Sequence, residues 1–382
     1  MGRGGSRLNS GRAKMNLENK KIVKSIYINP KLLDDIQKLK IKGCNSFSGK
    51  CQFLIEKGYE HMITSNIQNN HKLTFIDLFA GIGGIRKGFE DNNTECVFSC
   101  EWDKFAQKTY KANFGEIPYG DITKISEQEI PKHDVLLAGF PCQPFSNIGK
   151  REGFNHPTQG TLFFDIIRIL KFHQPKMLLL ENVPGLTTIQ KGETFKTILH
   201  ELDKANYSVF YQILDAQNFN LPQRRKRIII VGFRKDLNVS SFSFPKGNNK
   251  KIPINSILER NVKGYSISKH LQRNYLFKKN DGKPAIVNFN STNVVGTLVS
   301  TYHKIQRLTG TFVEDGETGL RLFSELECKR LMGFPDDFII PVSRTQMYKQ
   351  LGNSVAVPMI KAVSIAMKEK LYNVKKEIEI DK

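Results

Sequence analysis

A cysteine between two prolines lies in a segment whose residue types suit covalent chemistry. The segment GFPCQP, residues 139–144, directly follows an apolar run at residues 134–138 that predicts a buried parallel strand. Pro141 and Pro144 stiffen the backbone and keep Cys142 out of a regular helix. Open α/β sheets place their chemistry on such loops, beyond the carboxyl end of a strand. A buried cysteine in a tight turn is the alternative interpretation, and the neighbouring motifs argue against it.

A glycine-rich turn and three later side chains predict a binding pocket. In FIDLFAGIGG, residues 75–84, a strand runs into glycines that let the backbone approach a ligand, although the spacing is not GxGxxG. Glu101 ends the second predicted strand, 20 residues after Gly81, where an acid typically binds ribose hydroxyls. Trp102, the only tryptophan, can stack on an adenine, and Asp121 can accept its amino group. A pocket of this kind, without a phosphate cradle, favours S-adenosylmethionine over a dinucleotide; a core tryptophan between two surface acids is the alternative.

An acid and two cations complete the set of candidate catalytic side chains. Glu181 follows another apolar strand, where partial desolvation raises the pKa of a carboxyl and lets it donate a proton near neutral pH. In QRRKR, residues 223–227, strand alternation sends Arg225 and Arg227 to one side. If that side faces a cleft, the two guanidinium groups can bind an anionic or carbonyl partner. A solvated charged face is the alternative.

The charge distribution predicts a polyanionic partner. The 382 residues are 39% hydrophobic and 25% charged, as in ordinary globular proteins, but the net charge is +21. Residues 1–72 carry 14 Lys and Arg against 5 Asp and Glu, and residues 234–320 carry 14 against 6. This uneven positive charge favours nucleic acid as the partner first and a membrane surface second. A charged surface that only keeps the protein soluble is the remaining interpretation.

Cysteine usage and hydropathy predict a cytoplasmic protein without a metal site. The six cysteines form no CxxC pair and no zinc-type spacing with histidine, and they are too few for a disulfide scaffold. No apolar run approaches the ~20 residues needed to span a bilayer. The basic start lacks the apolar core of a secretory signal.

From residue 73 onward, short apolar strands alternate with amphipathic helices, which predicts an α/β fold with a parallel sheet. Residues 236–318 lack this alternation, which predicts a separate small domain of irregular β character. Ser324 and Glu327 match a helix capping box. The predicted strands are residues 73–79, 96–100, 135–138, 177–180, 208–214 and 228–233, and the main predicted helices are residues 85–90, 103–114, 162–172, 195–202 and 355–372.

The first 70 residues have a different pattern. A short strand at residues 24–28 precedes predicted helices at residues 30–42 and 48–61. Strand, helix and helix in a basic segment resemble a ribbon-helix-helix module, which pairs as a dimer and reads DNA with its ribbon. The outward ribbon positions are then Ser25, Tyr27 and Asn29. A helical extension packed on the main domain is the alternative.

Eight motifs, taken in order, resemble the cytosine-5 DNA methyltransferases of the bacterial type over about residues 73–372. The resemblance implies a Rossmann-like, AdoMet-dependent methyltransferase domain at residues 73–235, completed by residues 345–382. A smaller, irregular β-rich target-recognition domain is expected at residues 236–344. The α/β N-terminal module then spans residues 23–70, after a disordered basic arm at residues 1–22. The motifs are FIDLFAGIGG, CEWD, GDIT, GFPCQPFS, ENVPGL, QRRKRIIIVG, RLFSELECKRLMGFPDDF and QLGNSVAVPM.

The resemblance also implies a role for each matching residue. Cys142 resembles the nucleophile that adds to C6 of cytosine, which makes C5 reactive enough to attack the sulfonium methyl. Glu181 resembles the acid that contacts N3 and the exocyclic amine. Arg227 is expected to hold the base carbonyl, and Arg225 the catalytic loop or the base. Residues 146–157 resemble a mobile loop that closes on DNA. The implied AdoMet contacts are Phe79, Gly81, Gly83, Glu101, Trp102, Asp121, Ile122, Asn353 and Ser354.

The expected partner is double-stranded DNA with the target cytosine rotated out of the stack. The family pattern also implies a cognate restriction endonuclease that forms no stable complex with this chain. The N-terminal strand-helix-helix pattern, in turn, favours a module that dimerises and binds the operator of its own gene. Two alternatives remain open. One is methylation of transfer RNA, whose family branch carries a Cys-Phe-Thr signature that this sequence lacks. The other is a DNA-binding repressor, against which the intact set of Cys142, Glu181 and Arg227 argues.

Overall fold

The computed structural model describes residues 33, 36–39, 46–55, 72–141, 162–248 and 250–380. The chain divides into two compact units, Met1–Asn66 and Ile67–Lys382. In the first unit, residues 36–38 and 47–55 are helical, within the two helices that the sequence predicts there. The predicted ribbon strand at residues 24–28, with Ser25, Tyr27 and Asn29, lies outside the described residues. The ribbon-helix-helix module therefore stays a prediction.

A six-stranded sheet forms the centre of the second unit, in the order β2-β1-β3-β4-β6-β5. The first four strands are parallel, as the alternating pattern predicts, but β6 runs antiparallel to both β4 and β5. A parallel return needs a crossover of a dozen or more residues, and the ten residues between β5 and β6 hold only the 3-10 turn Ala216–Asn218. The strands are β1 Leu73–Leu78, β2 Thr94–Cys100, β3 Val135–Gly139, β4 Met177–Asn182, β5 Tyr207–Asp215 and β6 Lys226–Arg234.

Helices cover both faces of the sheet. The four predicted between residues 85 and 204 are present within two residues at each end, whereas the last helix runs further than predicted, to Ile380. The helices are α1 Gly84–Phe89, α2 Lys104–Phe114, α3 Leu162–His173, α4 Glu193–Lys204, α5 Glu325–Met332, α6 Arg344–Asn353 and α7 Val357–Ile380. Short 3-10 helices lie at Ile122–Lys124, Glu127–Glu129, Pro184–Thr187, Ile189–Gly192, Lys235–Leu237, Ile254–Ser256 and Tyr302–Lys304.

Strand alternation divides the apolar residues of the sheet between two cores. Ile76 and Leu78 of β1 belong to the core beneath α3 and α4, while Phe75 belongs to the core beneath α1 and α7. Because both faces are buried, the parallel strands read as continuous apolar runs. Within the described residues, no helix combines the length and the apolar character needed to span a lipid bilayer.

Between β6 and α5 the chain is mostly irregular. This agrees with the sequence pattern, in which the alternation of strands and helices ends at residue 236. It holds a helical turn at Lys269–Leu271 that continues as a π turn, and two short parallel strands, β7 Ala285–Val287 and β8 Thr311–Val313. Its apolar core also includes Ile82 and Ala106 of the sheet-bearing part. The domain boundaries at residues 235 and 345 stay a prediction.

A buried ion pair anchors this irregular region to α5. Arg321 and Glu327 are both fully buried, and their two guanidinium–carboxylate contacts measure 2.8 and 2.9 Å. The backbone N–H of Glu259 also donates to Glu327, at 2.8 Å. The predicted capping box of α5 is present, with Ser324 and Glu327 each accepting a hydrogen bond from the other's backbone N–H.

The substitution Glu327→Gln should lower the free energy of unfolding by about 3 kcal/mol, because it removes the fully buried carboxylate that binds Arg321 through two contacts and leaves only Asp315 as a counterion. Asp336→Asn is the matched control, since it neutralises an exposed partner of Arg330 and should cost less than about 1 kcal/mol. Urea denaturation measures both values. Equal losses in the two variants would contradict the importance of the buried pair.

Candidate active site

A cavity of about 780 Å³ opens at the carboxyl ends of the parallel strands. Its walls come from the loops after β1, β2, β3 and β4, from the start of β6 and from the end of α6. This is the edge at which open α/β sheets bind ligands. The sequence-predicted residues that line the cavity are Phe79, Gly81, Glu101, Trp102, Asp121, Ile122, Glu181, Arg227, Asn353 and Ser354.

Of the predicted site residues that the structure describes, two, Gly83 and Arg225, are not among the cavity walls. Cys142 lies outside the described residues, but the three residues before it, 139–141, line the cavity. Gly83 supports the wall from behind, because a Cβ there would lie 2.2 Å from the ring of Phe114. Arg225 is fully buried and donates to backbone carbonyls instead of facing the cavity.

Glu101 braces the glycine turn while it faces the cavity. Its two carboxylate oxygens accept hydrogen bonds from the backbone N–H groups of Gly81, at 2.7 Å, and Asp103, at 2.8 Å. Burial raises the pKa of the Glu101 carboxyl, and these two backbone hydrogen bonds oppose the rise. The carboxylate keeps free lone pairs for two ligand hydroxyls.

The turn between β1 and α1 holds an unusual backbone conformation. Phe79 has φ of +53°, which is rare for a bulky residue, and Gly81 has φ of +56°. Such strain concentrates at ligand sites, where the surrounding structure maintains it. Here the hydrogen bond from Ala80 to the carbonyl of Cys100 and the one from Gly81 to Glu101 hold the turn against β2.

The edge of the cavity near Glu101 has side chains that can bind a planar ring. Trp102 is 78% exposed at the cavity edge, so its indole face is free to stack on a ligand. Asp121 caps the turn Ile122–Lys124 by accepting hydrogen bonds from Thr123. Lys349 of α6 bridges the mouth through a 2.9 Å ion pair with Asp103, a contact that sequence reasoning missed.

These features fit an adenosyl ligand without phosphates. The Gly81 N–H, which would bind phosphate in a dinucleotide turn, is already bonded to Glu101. The acid at the end of β2, the exposed indole and Asp121 remain available for ribose and adenine. The donor set therefore agrees with the S-adenosylmethionine pocket that the sequence predicts.

A second subsite of the same cavity is built around Glu181. Its carboxylate lies 2.9 Å from the guanidinium of Arg227, and both side chains are nearly buried. Burial raises the pKa of the Glu181 carboxyl, while the cations of Arg227 and Arg225 oppose that rise. The antiparallel direction of β6 makes this pair possible, since it brings the start of β6 to the carboxyl end of β4.

The loop that leads to Cys142 lies directly beside Glu181. Gly139 pairs with Glu181 in the register of β3 and β4, and a Cβ at residue 139 would lie 3.6 Å from the Glu181 carboxylate. A Cβ there would thus be in ordinary van der Waals contact with the acid, which shows how closely the loop passes Glu181. The arrangement can present a proton donor and a cation to one edge of a heterocycle next to the loop that leads to Cys142.

Asn182 holds this loop in place, and sequence reasoning missed it. Its side-chain amide donates to the Phe140 carbonyl at 2.9 Å, and its amide oxygen accepts from the Val183 N–H. Asn182 is almost fully buried between the two loops. The available signal was its position, one residue after Glu181 at the end of a predicted strand.

Comparison with known proteins gives the same family throughout. The family model for C-5 cytosine-specific DNA methylase matches residues 73–369. The chain is 62% identical to the Type II methyltransferase M.BsuFI of Bacillus subtilis, over 97% of each chain. It is 53% identical to the Type II methyltransferase M.MspI of Moraxella sp., over 82% of this chain and 79% of that one.

Solved structures share the fold at lower identity. A methyltransferase of Entamoeba histolytica superposes with a TM-score of 0.63 at 23% identity, covering 80% of this chain and 99% of that one. The S. pombe Dnmt2 methyltransferase superposes with a TM-score of 0.62 at 23% identity, over 79% and 99%. At this identity the likeness supports the fold alone.

The substitution Asn182→Ala should slow covalent adduct formation with a 5-fluorocytosine DNA duplex by about 100-fold, because the loop before Cys142 loses its anchor. Binding of S-adenosylhomocysteine should stay within about twofold of wild type. Gel-shift kinetics and calorimetry measure the two quantities. Asn113→Ala is the matched control, since Asn113 also donates to backbone carbonyls but lies away from the cavity. An unchanged adduct rate in Asn182→Ala would exclude the anchoring role.

Proposed function

The chain belongs to the C-5 cytosine-specific DNA methylase family, and from this membership we propose how its site performs the reaction. The protein is a DNA cytosine-5 methyltransferase of a restriction-modification system. The observation that carries the proposed mechanism is the Glu181–Arg227 pair, which faces the cavity beside the loop leading to Cys142.

The cofactor of this reaction is S-adenosylmethionine, which supplies an electrophilic methyl group on a sulfonium centre. Glu101 holds the ribose hydroxyls, Trp102 stacks on the adenine, and Asp121 accepts the adenine amino group. The other pocket residues in this assignment are Phe79, Gly81, Ile122, Asn353 and Ser354, and all of them line the cavity. Gly83 acts from behind the wall by making room for Phe114.

The target cytosine occupies the second subsite after rotation out of the duplex. Arg227 donates to the base carbonyl. The protonated carboxyl of Glu181 donates to N3 and accepts from the exocyclic amine, so it stabilises the electron density that reaches the ring. The thiolate of Cys142 then forms a bond to C6, and C5 becomes enamine-like. C5 then forms its bond to the methyl group as the sulfur–methyl bond breaks, which leaves a neutral thioether. A base removes the C5 proton, and the electron pair of that C–H bond restores the C5–C6 double bond and expels the thiolate of Cys142.

The basic irregular region supplies the contacts to DNA in this proposal. Residues 234–320 carry 14 Lys and Arg against 6 Asp and Glu, and this excess suits phosphate binding. Base rotation costs a few kcal/mol, which backbone and pocket contacts offset. The DNA-specific family model favours DNA over transfer RNA as the substrate, and the complete catalytic set argues against a repressor without activity.

The proposed cellular setting is that of a bacterial modification enzyme. Type II methyltransferases of bacteria support a cytoplasmic, nucleoid-associated enzyme that protects sites of a cognate restriction endonuclease without forming a stable complex with it. The N-terminal module, residues 23–70, would dimerise and bind the operator of its own gene. That role depends on the basic strand-helix-helix pattern of the sequence.

Cells that express the chain should acquire 5-methylcytosine at one recurring sequence, which bisulfite sequencing detects. The variant Cys142→Ser should give no methylation and no covalent adduct with 5-fluorocytosine duplex, because a serine hydroxyl is not ionised at neutral pH. It should still bind S-adenosylhomocysteine. An adduct in Cys142→Ser would remove the nucleophile from position 142, and unmethylated DNA in cells with the wild-type chain would contradict the function.

The pH profile should report the protonated form of Glu181. Because burial raises the pKa of this carboxyl, the competent acid is present below the raised pKa and is lost as the pH rises through it. Glu181→Gln should lower kcat by about 10²–10⁴-fold and abolish the alkaline fall of kcat/KM.

Arg227→Met provides the matched comparison for this profile. Arg227 opposes the rise in the Glu181 pKa, so its removal should move the alkaline limb to higher pH, whatever the loss in rate. Single-turnover methylation at a series of pH values measures the position of the limb. If the alkaline limb of the pH profile stays in place in both Glu181→Gln and Arg227→Met, a group other than Glu181 titrates.

A further inference from the structure

Arg225 lies behind the cavity wall, although the sequence pairs it with Arg227. The side chain is fully buried, and its guanidinium donates to three backbone carbonyls. The acceptors are Leu298, at 2.9 Å, Gly352, at 2.8 Å, and Ser354, at 2.5 Å. A buried cation needs such acceptors, because desolvation without them is costly. Arg225 therefore joins two distant segments of the chain.

The first of these segments, residues 295–300, belongs to the irregular region between β6 and α5. The residues just before β6 hold it by backbone contacts as well. The Arg224 N–H donates to the Val295 carbonyl at 2.9 Å, and the side-chain oxygen of Gln223 accepts from the Leu298 N–H at 2.6 Å. The segment is thus fixed to the sheet on one side.

The second segment, residues 352–354, is a wall of the cavity. Gly352 packs directly on the backbone of the first segment, because a Cβ there would lie 2.3 Å from the Ser300 nitrogen and 2.4 Å from the Val299 carbonyl carbon. The carbonyls that Arg225 binds on this side are those of Gly352 and Ser354, on either side of Asn353. Moving the cation would therefore move the wall that Asn353 and Ser354 present to the ligand.

We propose that Arg225 is a positioning residue. It holds the cofactor-pocket wall, residues 352–354, in place against segment 295–300 of the irregular region between β6 and α5. The inference rests on the proposed function, since it takes the cavity as the S-adenosylmethionine pocket. It differs from the role that the family resemblance implies for Arg225, which is contact with the catalytic loop or the base. Affinity for the cofactor then depends on a residue that touches neither cofactor nor DNA.

Calorimetric titration of the full-length chain with S-adenosylhomocysteine, without DNA, tests this inference. Arg225→Lys should raise the dissociation constant about tenfold, because one ammonium cannot replace a planar fork that reaches three carbonyls. The matched control is Arg227→Lys, which faces the cytosine subsite and should bind within about twofold of wild type while losing methylation rate.

Stoichiometry separates positioning from loss of folding. A merely structural role would lower the number of binding sites and the apo thermal midpoint but leave the dissociation constant of the folded fraction unchanged. Should Arg225→Lys fail to fold, Gly352→Ala tests the same wall, because its methyl group must displace residues 299–300. It should also weaken S-adenosylhomocysteine binding, with Arg225 intact. In the double variant Arg225→Lys/Gly352→Ala, the dissociation constant should rise by less than the product of the two single fold-changes if both substitutions act through the same wall.

The outcomes are distinguishable. Weaker binding at unchanged stoichiometry in Arg225→Lys supports the positioning role; should that variant not fold, weaker binding in Gly352→Ala supports it. Wild-type affinity in folded Arg225→Lys, or in Gly352→Ala where it takes that place, would overturn the role, and a lowered kcat in Arg225→Lys at wild-type affinity would return Arg225 to the catalytic machinery. Failure of the wild-type chain itself to bind S-adenosylhomocysteine would contradict the proposed function instead.

Discussion

The contact between Glu181 and Arg227 is the interaction on which the rest of the site depends. The Glu181 carboxyl and the Arg227 guanidinium lie 2.9 Å apart in a nearly dry environment, where the cation could not be buried alone without a large desolvation cost. Glu181 is carried by the carboxyl end of β4, and Arg227 by the beginning of β6. They meet because β6 reverses the direction of the sheet at this point. In a wholly parallel sheet, the beginning of the last strand would lie at the opposite edge from Glu181.

The sheet edge also explains why one cavity can serve two ligands. The loops after β1 and β2 form the adenosyl side, and the loops after β3 and β4 form the side that holds Glu181 and the approach to Cys142. Adjacent parallel strands place their carboxyl ends within a few ångströms of one another. Under the proposed function, the methyl donor and the pyrimidine would therefore bind at neighbouring loops of one sheet edge.

Polar side chains that hydrogen-bond to the backbone hold the walls of the cavity in place. Glu101 holds the glycine turn, Asn182 holds the Phe140 carbonyl, and Arg225 holds the carbonyls of Gly352 and Ser354. Each of them is buried, so its hydrogen bonds are strong and costly to leave unmade. The cavity walls are thus defined by backbone fixed from behind, while few side chains remain to contact the ligands themselves.

The amino-acid sequence by itself determined the alternating strands and helices, the irregular region after residue 236, the capping box of α5 and ten of the residues that line the cavity. These features are local, because periodicity and motif order within a few dozen residues specify them. Only the tertiary structure decided the antiparallel direction of β6, the anchoring of the loop by Asn182 and the separation of Arg225 from Arg227. The physical reason is that each of these depends on partners distant in the chain. Arg225 precedes β6 and Arg227 lies in it, two residues apart in the chain. The acceptors of Arg225 lie in segments 295–300 and 352–354, whereas Arg227 contacts Glu181 on β4, and no local pattern records which partner is in reach.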